Sequence, residues 1–271
     1  MEGHINVLIE VRKLGKTFED AGGNTGGSVE AIRMMDFKVR EGEFVSIVGP
    51  SGCGKSTLLD IIGGLEKPST GEVIVEGERV ESPHPKAAMV FQLVSVFPWR
   101  SALANVEFGL ELRKVPAKER RAKALEALHL VGLKGFEAKY PSQLSGGMNQ
   151  RLAIARALAL DPDILLMDEP FGALDEQTRF LMGLELLRIW EATRKTVVFI
   201  THSIAEAIQL SDRVLVMSMR PGVIREEILV TLPRPRTIET LTTEACKEIE
   251  HRIWDILKVE ALKGLTEHDA R

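Results

Sequence analysis

The 271-residue chain is 44% hydrophobic and 27% charged, with a formal net charge of -4. This is the balance of an ordinary folded globular protein, and it gives no general electrostatic pull towards nucleic acid. Two cysteines, Cys53 and Cys246, are too few for a disulfide framework and fit a reducing compartment. The length suits one large domain, or a main domain with a small appendage.

In chain order, residues 1–13 lack the basic segment and apolar stretch of a secretory signal, and no apolar run approaches the roughly 20 residues needed to cross a bilayer. A membrane role would therefore require a partner. Residues 7–11 and 31–39 read as strands, and the glycine-rich stretch 19–28 between them reads as a solvated loop. The short apolar run 44–48 reads as a buried strand. It feeds Gly49-Pro-Ser51-Gly52-Cys53-Gly54-Lys55-Ser56-Thr57, which fits the phosphate-cradling pattern G-x-x-x-x-G-K-[ST].

That pattern has a chemical reason. Glycines let successive backbone N–H groups turn inward around phosphates, and a helix opening near Gly54 presents its positive dipole end to them. Lys55 is then within reach of the β- and γ-phosphates. Ser56 can place its hydroxyl on a bridging Mg2+. A chain of this length matches the pattern by accident only about 1% of the time, so nucleoside triphosphate binding is the expectation. Cys53 inside the loop carries a second one: its alkylation should block nucleotide access, and ATP should protect it.

A helix over 58–65 is closed by Pro68 and Gly71, and 71–80 reads as a strand pair. Residues 103–133 turn helical, with Leu125, Leu128 and Val131 opposite a solvated face of Lys118, Arg121 and Lys123. Leu144-Ser145-Gly146-Gly147-Met-Asn-Gln-Arg151 precedes a helical run over 152–160. The apolar runs 164–167 and 196–200 suit strands buried on both faces of a parallel sheet, and the alternation of strands and helices predicts α/β architecture. After the first run, Asp168 and Glu169 offer a carboxylate for a metal shell and one to act on water. Beyond Pro221, residues 223–232 read as an edge strand broken by Pro233 and Pro235. Ala245, Ile249, Ile253, Ile256 and Leu257 mark one face of a final helix.

The phosphate loop, the Ser145-Gly146-Gly147 stretch and the Asp168-Glu169 pair, in this order, resemble the ATPase subunit of an ABC transporter. The resemblance covers about residues 7–219. It implies a P-loop NTPase of ABC type with a mixed β core, a helical subdomain at about 93–150 within a nucleotide-binding domain of residues 1–220, and an appendage at 221–271. It further implies ATP and Mg2+ as ligands. Ser145, Gly146 and Gly147 match the signature that contacts the γ-phosphate held by a second copy of the chain. Gln92 matches the glutamine that senses magnesium and the attacking water, Asp175 the loop that crosses the dimer interface, and His202 the histidine that contacts the γ-phosphate. Phe18 resembles the aromatic that stacks on adenine.

Within the family, Val90-Phe-Gln92, Phe97-Pro-Trp99, Asn105-Val106 and Phe171-Gly-Ala-Leu-Asp175 are similar to the nitrate, sulfonate and taurine importers. That implies an integral membrane permease as partner, a solute-binding protein outside the membrane acting indirectly, no nucleic acid, and a peripheral place on the cytoplasmic face. Two departures stand out: Asn149 in the signature helix, and residues 93–96, which lack the polar residues often seen after the glutamine.

Rival readings differ in class. A soluble ABC-type ATPase of DNA repair would carry long coiled coils between the two nucleotide motifs, and residues 57–144 hold no heptads. A P-loop kinase would not need Ser145-Gly-Gly147. An exporter or lipid-extraction ATPase of the same family would lack an external binding protein.

Overall fold

The computed structural model describes residues 6–19 and 27–268, the last six of these as backbone. It opens with two long antiparallel strands, β1 (Val7–Glu19) and β2 (Ser28–Arg40), each running well beyond the short strands expected from alternation. Their pairing slips at several points, and Lys13 and Met34 adopt positive φ of 46° and 43°. Each bulge advances the chain by a residue and breaks the two-residue period, so the sequence pattern fades while the strand continues. Residues 20–26, most of the expected glycine-rich loop, lie outside the described residues.

Strand β3 (Phe44–Val48) is buried at every residue; its four apolar residues suit this, and Ser46 Oγ is satisfied by the Ser211 hydroxyl. After the phosphate loop come α1 (Lys55–Ile62), β4 (Thr70–Val75) and the short β5 (Glu78–Arg79). The next stretch holds β6 (Ala87–Val90), α2 (Ala102–Leu112), α3 (Ala117–Leu130), α4 (Gly146–Leu158), β7 (Ile164–Asp168) and α5 (Glu176–Thr193). The last holds β8 (Thr196–Thr201), α6 (Ile204–Leu210), β9 (Arg213–Met217), β10 (Ile224–Leu229), α7 (Ile238–Leu241) and α8 (Glu244–His268).

The chain divides into two compact units, one of Met1–His84 with Thr196–Arg271 and one of Pro85–Lys195. In the first, an antiparallel sheet runs in the order β2-β1-β4-β5, and β3 lies between β8 and β9, parallel to both. β10 pairs antiparallel with β9 at the end of this set. The central strand β3 is thus the one that delivers the phosphate loop.

The C-terminal residues pack on this sheet. Ile228, Val230, Leu232, Cys246 and Ile253 are buried with Val48, Ile208, Val214 and Val216, and Ile249, Ile256 and Leu257 lie partly buried against them. In the second unit β6 and β7 pair in parallel, and α2, α3 and α4 pack together. α2 and α3 are separated by a break at Lys114, with φ of 58°, just before Val115-Pro116.

Candidate functional site

The phosphate loop is built by backbone geometry. Gly54, at the entry to α1, has φ of 101°, and a side chain there would meet the Ala31 carbonyl oxygen at 2.9 Å, so only glycine fits. Lys55 is buried, and its Nζ donates to the carbonyl oxygens of Gly49 at 2.9 Å and Pro50 at 3.0 Å. The ammonium is thereby held across the loop. Ser51, Gly52 and Ser56 are exposed, Thr57 is partly so, and Ser56 stands in the first turn of α1.

Cys53 points the other way. Its side chain is fully buried, Sγ lies 3.9 Å from Lys55 Nζ, and burial pushes the thiol pKa up. A buried thiol held protonated is a poor target for alkylation, which corrects the expectation that reagent reaches it directly; Cys53 contributes to the loop through its backbone.

The same unit supports the loop from beneath, a feature missed in the sequence because it falls within the expected appendage. Gly222 N–H donates to the Ala31 carbonyl at 2.9 Å, and its own carbonyl accepts from Arg33 N–H at 3.0 Å. A Cβ on Gly222 would lie 2.3 Å from the Cys53 carbonyl oxygen. Only the absence of a side chain lets the two backbones approach so closely. The tight contact follows Met217, whose Cβ a side chain on Gly49 would strike.

His202 follows the last residue of β8 and is exposed. The turn around it is fixed: Ser203 N–H donates to Thr201 Oγ1 at 2.9 Å, and Ser203 Oγ caps α6 by accepting from Glu206 N–H at 3.3 Å. Phe18, near the end of β1, is 40% exposed, and Lys16 Nζ sits 4.8 Å above its ring. An exposed aromatic face with a neighbouring cation suits stacking on a heteroaromatic base.

In the second unit, β7 ends in Asp168, which is buried, and Glu169 follows with φ of 41°. Glutamate seldom adopts this left-handed region, and such conformations gather at functional sites. Gln92 Nε2 lies 3.5 Å from Glu169 Oε2, so the structure brings these two expected residues together. The segment after Gln92 leaves Leu93 82% and Trp99 71% exposed. It is pinned from within by Asn105, whose side chain accepts from Phe97 N–H at 2.8 Å and donates to the carbonyls of Phe97, Arg100 and Ser101.

The signature lies at the start of α4. Ser145 is the N-cap and accepts from Met148 N–H at 3.3 Å, as its place before the helical run leads one to expect. Gly146 and Gly147 have no atom within 3.5 Å of where a Cβ would be, which leaves the helix N-terminus open. Asn149 donates to the carbonyls of Pro141 and Leu144, so this departure holds the signature loop in place.

Asp175 caps α5, accepting from Thr178 N–H at 3.0 Å and Thr178 Oγ1 at 2.7 Å, and these bonds hold its carboxyl below the usual range. Ser145, Gly146, Gly147 and Asp175 line one open groove of about 740 Å³. Exposed backbone donors at a helix N-terminus beside open space can receive an anion.

The residues fit the expected ligands. The loop with Lys55 has the make-up of a phosphate cradle. Mg2+ keeps several waters and needs few protein ligands beside phosphate oxygens, so a Ser hydroxyl such as that of Ser56, in the first turn of α1, suits it without a dedicated acidic cage. No cluster of three or more His, Cys, Asp or Glu occurs among the described residues.

Comparison with known proteins identifies the family. Residues 32–172 match the sequence model of the ABC transporter family. An uncharacterized ABC transporter ATP-binding protein of Methanocaldococcus jannaschii is 49% identical over 264 residues, 96% of this chain and 95% of that protein. The aliphatic sulfonates import ATP-binding protein SsuB of Bacillus cereus is 45% identical over 227 residues, 84% of this chain and 88% of that protein. Among solved structures, a dimeric ATP-binding cassette in a post-hydrolysis state bound to ADP and Pi matches with a TM-score of 0.71 and 36% identity, over 82% of this chain and 99% of that one. A further match is cbiO1 of Clostridium perfringens, part of the ABC transporter complex cbiONQ, with a TM-score of 0.72 and 26% identity over 82% and 88%.

Proposed function

Because the chain belongs to the ABC transporter family as an ATP-binding, ATP-hydrolysing subunit, we propose that it powers an importer of a small organic anion of the sulfonate type. Bound ATP supplies the bond to be cleaved. Lys55 exchanges its Gly49 and Pro50 carbonyl partners for phosphate oxygens, and backbone N–H groups of residues 51–57 take up the remaining charge. Ser56, Asp168 and Gln92 would hold Mg2+.

Glu169 accepts the proton of the attacking water, Gln92 orients that water, and His202 donates to the γ-phosphate. Phe18 stacks on the adenine. Ser145, Gly146 and Gly147 of a second copy complete the site, with Asp175 at the interface between copies.

The observation that carries this reading is the pairing, in one chain, of a phosphate cradle with an open, Ser-capped helix N-terminus that the cradle's own chemistry does not require. A hydrolase acting alone has no use for the second. Exposed Phe91, Leu93 and Trp99 offer the permease an apolar foothold beside Gln92, so closure of the ATP-bound dimer is passed to the membrane. The subunit is peripheral on the cytoplasmic face; no helix among the described residues is long and apolar enough to cross a membrane. Support for the importer comes from the relative named for aliphatic sulfonate import and from the Phe97, Trp99 and Asn105 segment.

Glu169→Gln is expected to lower kcat by about 100-fold or more and to accumulate an ATP-bound dimer, read by size-exclusion chromatography with and without ATP. A variant that stays monomeric with ATP would count against the shared site. Pull-down from gently solubilised membranes tests the transport role. Recovery of a polytopic permease with a solute-binding protein supports import, and a permease without one points to export.

A further inference from the structure

We propose that Arg236, assisted by Arg234, is a positioning residue for His202, acting through the short helix α6. The inference rests on the role given to His202 above. α6 has no basic residue in its own last turn, although its C-terminal carbonyls carry partial negative charge and lack helical partners. The missing cations come from residues 234–236. Arg236 is 2% exposed, and its Nη1 donates to the carbonyls of Ile208 at 2.7 Å, Gln209 at 3.3 Å and Ser211, while Nη2 donates to the carbonyl of Val230.

Arg234 Nη2 donates to the Leu210 carbonyl and to Asp212 Oδ1, both at 2.8 Å. Asp212 Oδ2 in turn accepts from Phe44 N–H at 2.9 Å, at the start of the strand that leads to the phosphate loop. Burial lowers the Arg236 pKa only to about 10, so the guanidinium is charged at neutral pH.

The other end of α6 is equally fixed. Thr201 Oγ1 donates to the Glu206 carboxylate and accepts from Ser203 N–H, so the backbone on either side of His202 is tied to the first turn of the helix. A helix of seven residues is about two turns long, so a displacement at one end is carried directly to the other. Loosening its C-terminus therefore shifts the histidine at its N-terminus. Misplacement on the order of 1 Å is enough to cost as much as 100-fold in rate when a group must meet a developing charge.

The test is a set of purified full-length proteins: Arg236→Lys, Arg236→Ala and Arg234→Ala, each in the natural background and combined with His202→Ala. ATP turnover and binding of a fluorescent ATP analogue are measured. Lysine keeps the charge but loses the fork of donors, so Arg236→Lys remains informative should Arg236→Ala fail to fold. The expected result is a kcat lowered about 10-fold with KM and analogue affinity within about twofold, and no further loss from the arginine changes once His202 is alanine. Arginine effects of full size in the His202→Ala background, or a rise in KM parallel to the fall in kcat, would overturn the coupling alone. His202→Ala turning over at the natural rate would remove the role of His202 itself, and the proposal with it.

Discussion

At the scale of single residues, the site depends on what is absent as much as on what is present. Gly222 has no chemistry, yet its bare Cα lets residues 220–223 press against the back of the phosphate loop. Gly222→Ala would set a methyl group 2.3 Å from the Cys53 carbonyl oxygen and 2.7 Å from Met217 Cε. Backbone on one side must give way, at a cost of about 1–3 kcal/mol. Gly222 is tied to β2 by two backbone hydrogen bonds, so the loop is the side expected to yield; ATP affinity is expected to fall about 10-fold or more while the far-ultraviolet circular dichroism is preserved, and unchanged affinity in titration with a fluorescent analogue would refute this. The charged residues proposed to act in the site, Lys55, Asp168 and Glu169, stand out in the sequence by their spacing. Gly222 does not, since its partner is a carbonyl oxygen 169 positions earlier in the chain and no local pattern marks a close approach.

At the scale of elements, legibility followed burial and regularity. β3, β7 and β8 are buried throughout and read directly as apolar runs. β1 and β2 were read short because bulges at Lys13 and Met34 shift the alternation. Helix α5 is long but mixes apolar and charged residues on all sides, so its periodicity was weak.

The segment between β6 and α2 has no regular hydrogen bonding of its own, and the fully buried amide of Asn105 takes that place. Asn105→Ala would strand the Phe97 N–H and take a donor from the Arg100 carbonyl, while the Phe97 and Ser101 carbonyls keep their backbone donors, and a loss of about 1–3 kcal/mol is expected. Thermal unfolding measures it. The change should also weaken recovery of the permease more than it weakens ATP binding, since the residues it releases lie beside exposed Trp99. Equal stability of the variant would show that water replaces the amide at no cost.

At the scale of the whole molecule, the C-terminal residues belong to the sheet that bears the phosphate loop. Ending the chain at Pro221 removes Ile228, Val230, Leu232 and Ile253 from a buried cluster that includes Val48. Each contributes about 1.5–3 kcal/mol, so together they approach the entire stability of a typical domain, about 5–15 kcal/mol. The shortened chain is expected to be insoluble or to lose cooperative unfolding; a soluble fragment with natural ATP affinity would disprove the dependence.

The order of the strands has a consequence during synthesis. β3 is made within the first 48 residues, but both strands that hydrogen-bond to it are encoded from Thr196 onward, after all of Pro85–Lys195. At about 5–20 residues per second, the ribosome leaves this mostly apolar strand without its neighbours for about 7–30 seconds. For that interval the nascent chain exposes the stickiest part of its future core, which makes it a natural client of chaperones that bind extended apolar segments at the exit tunnel.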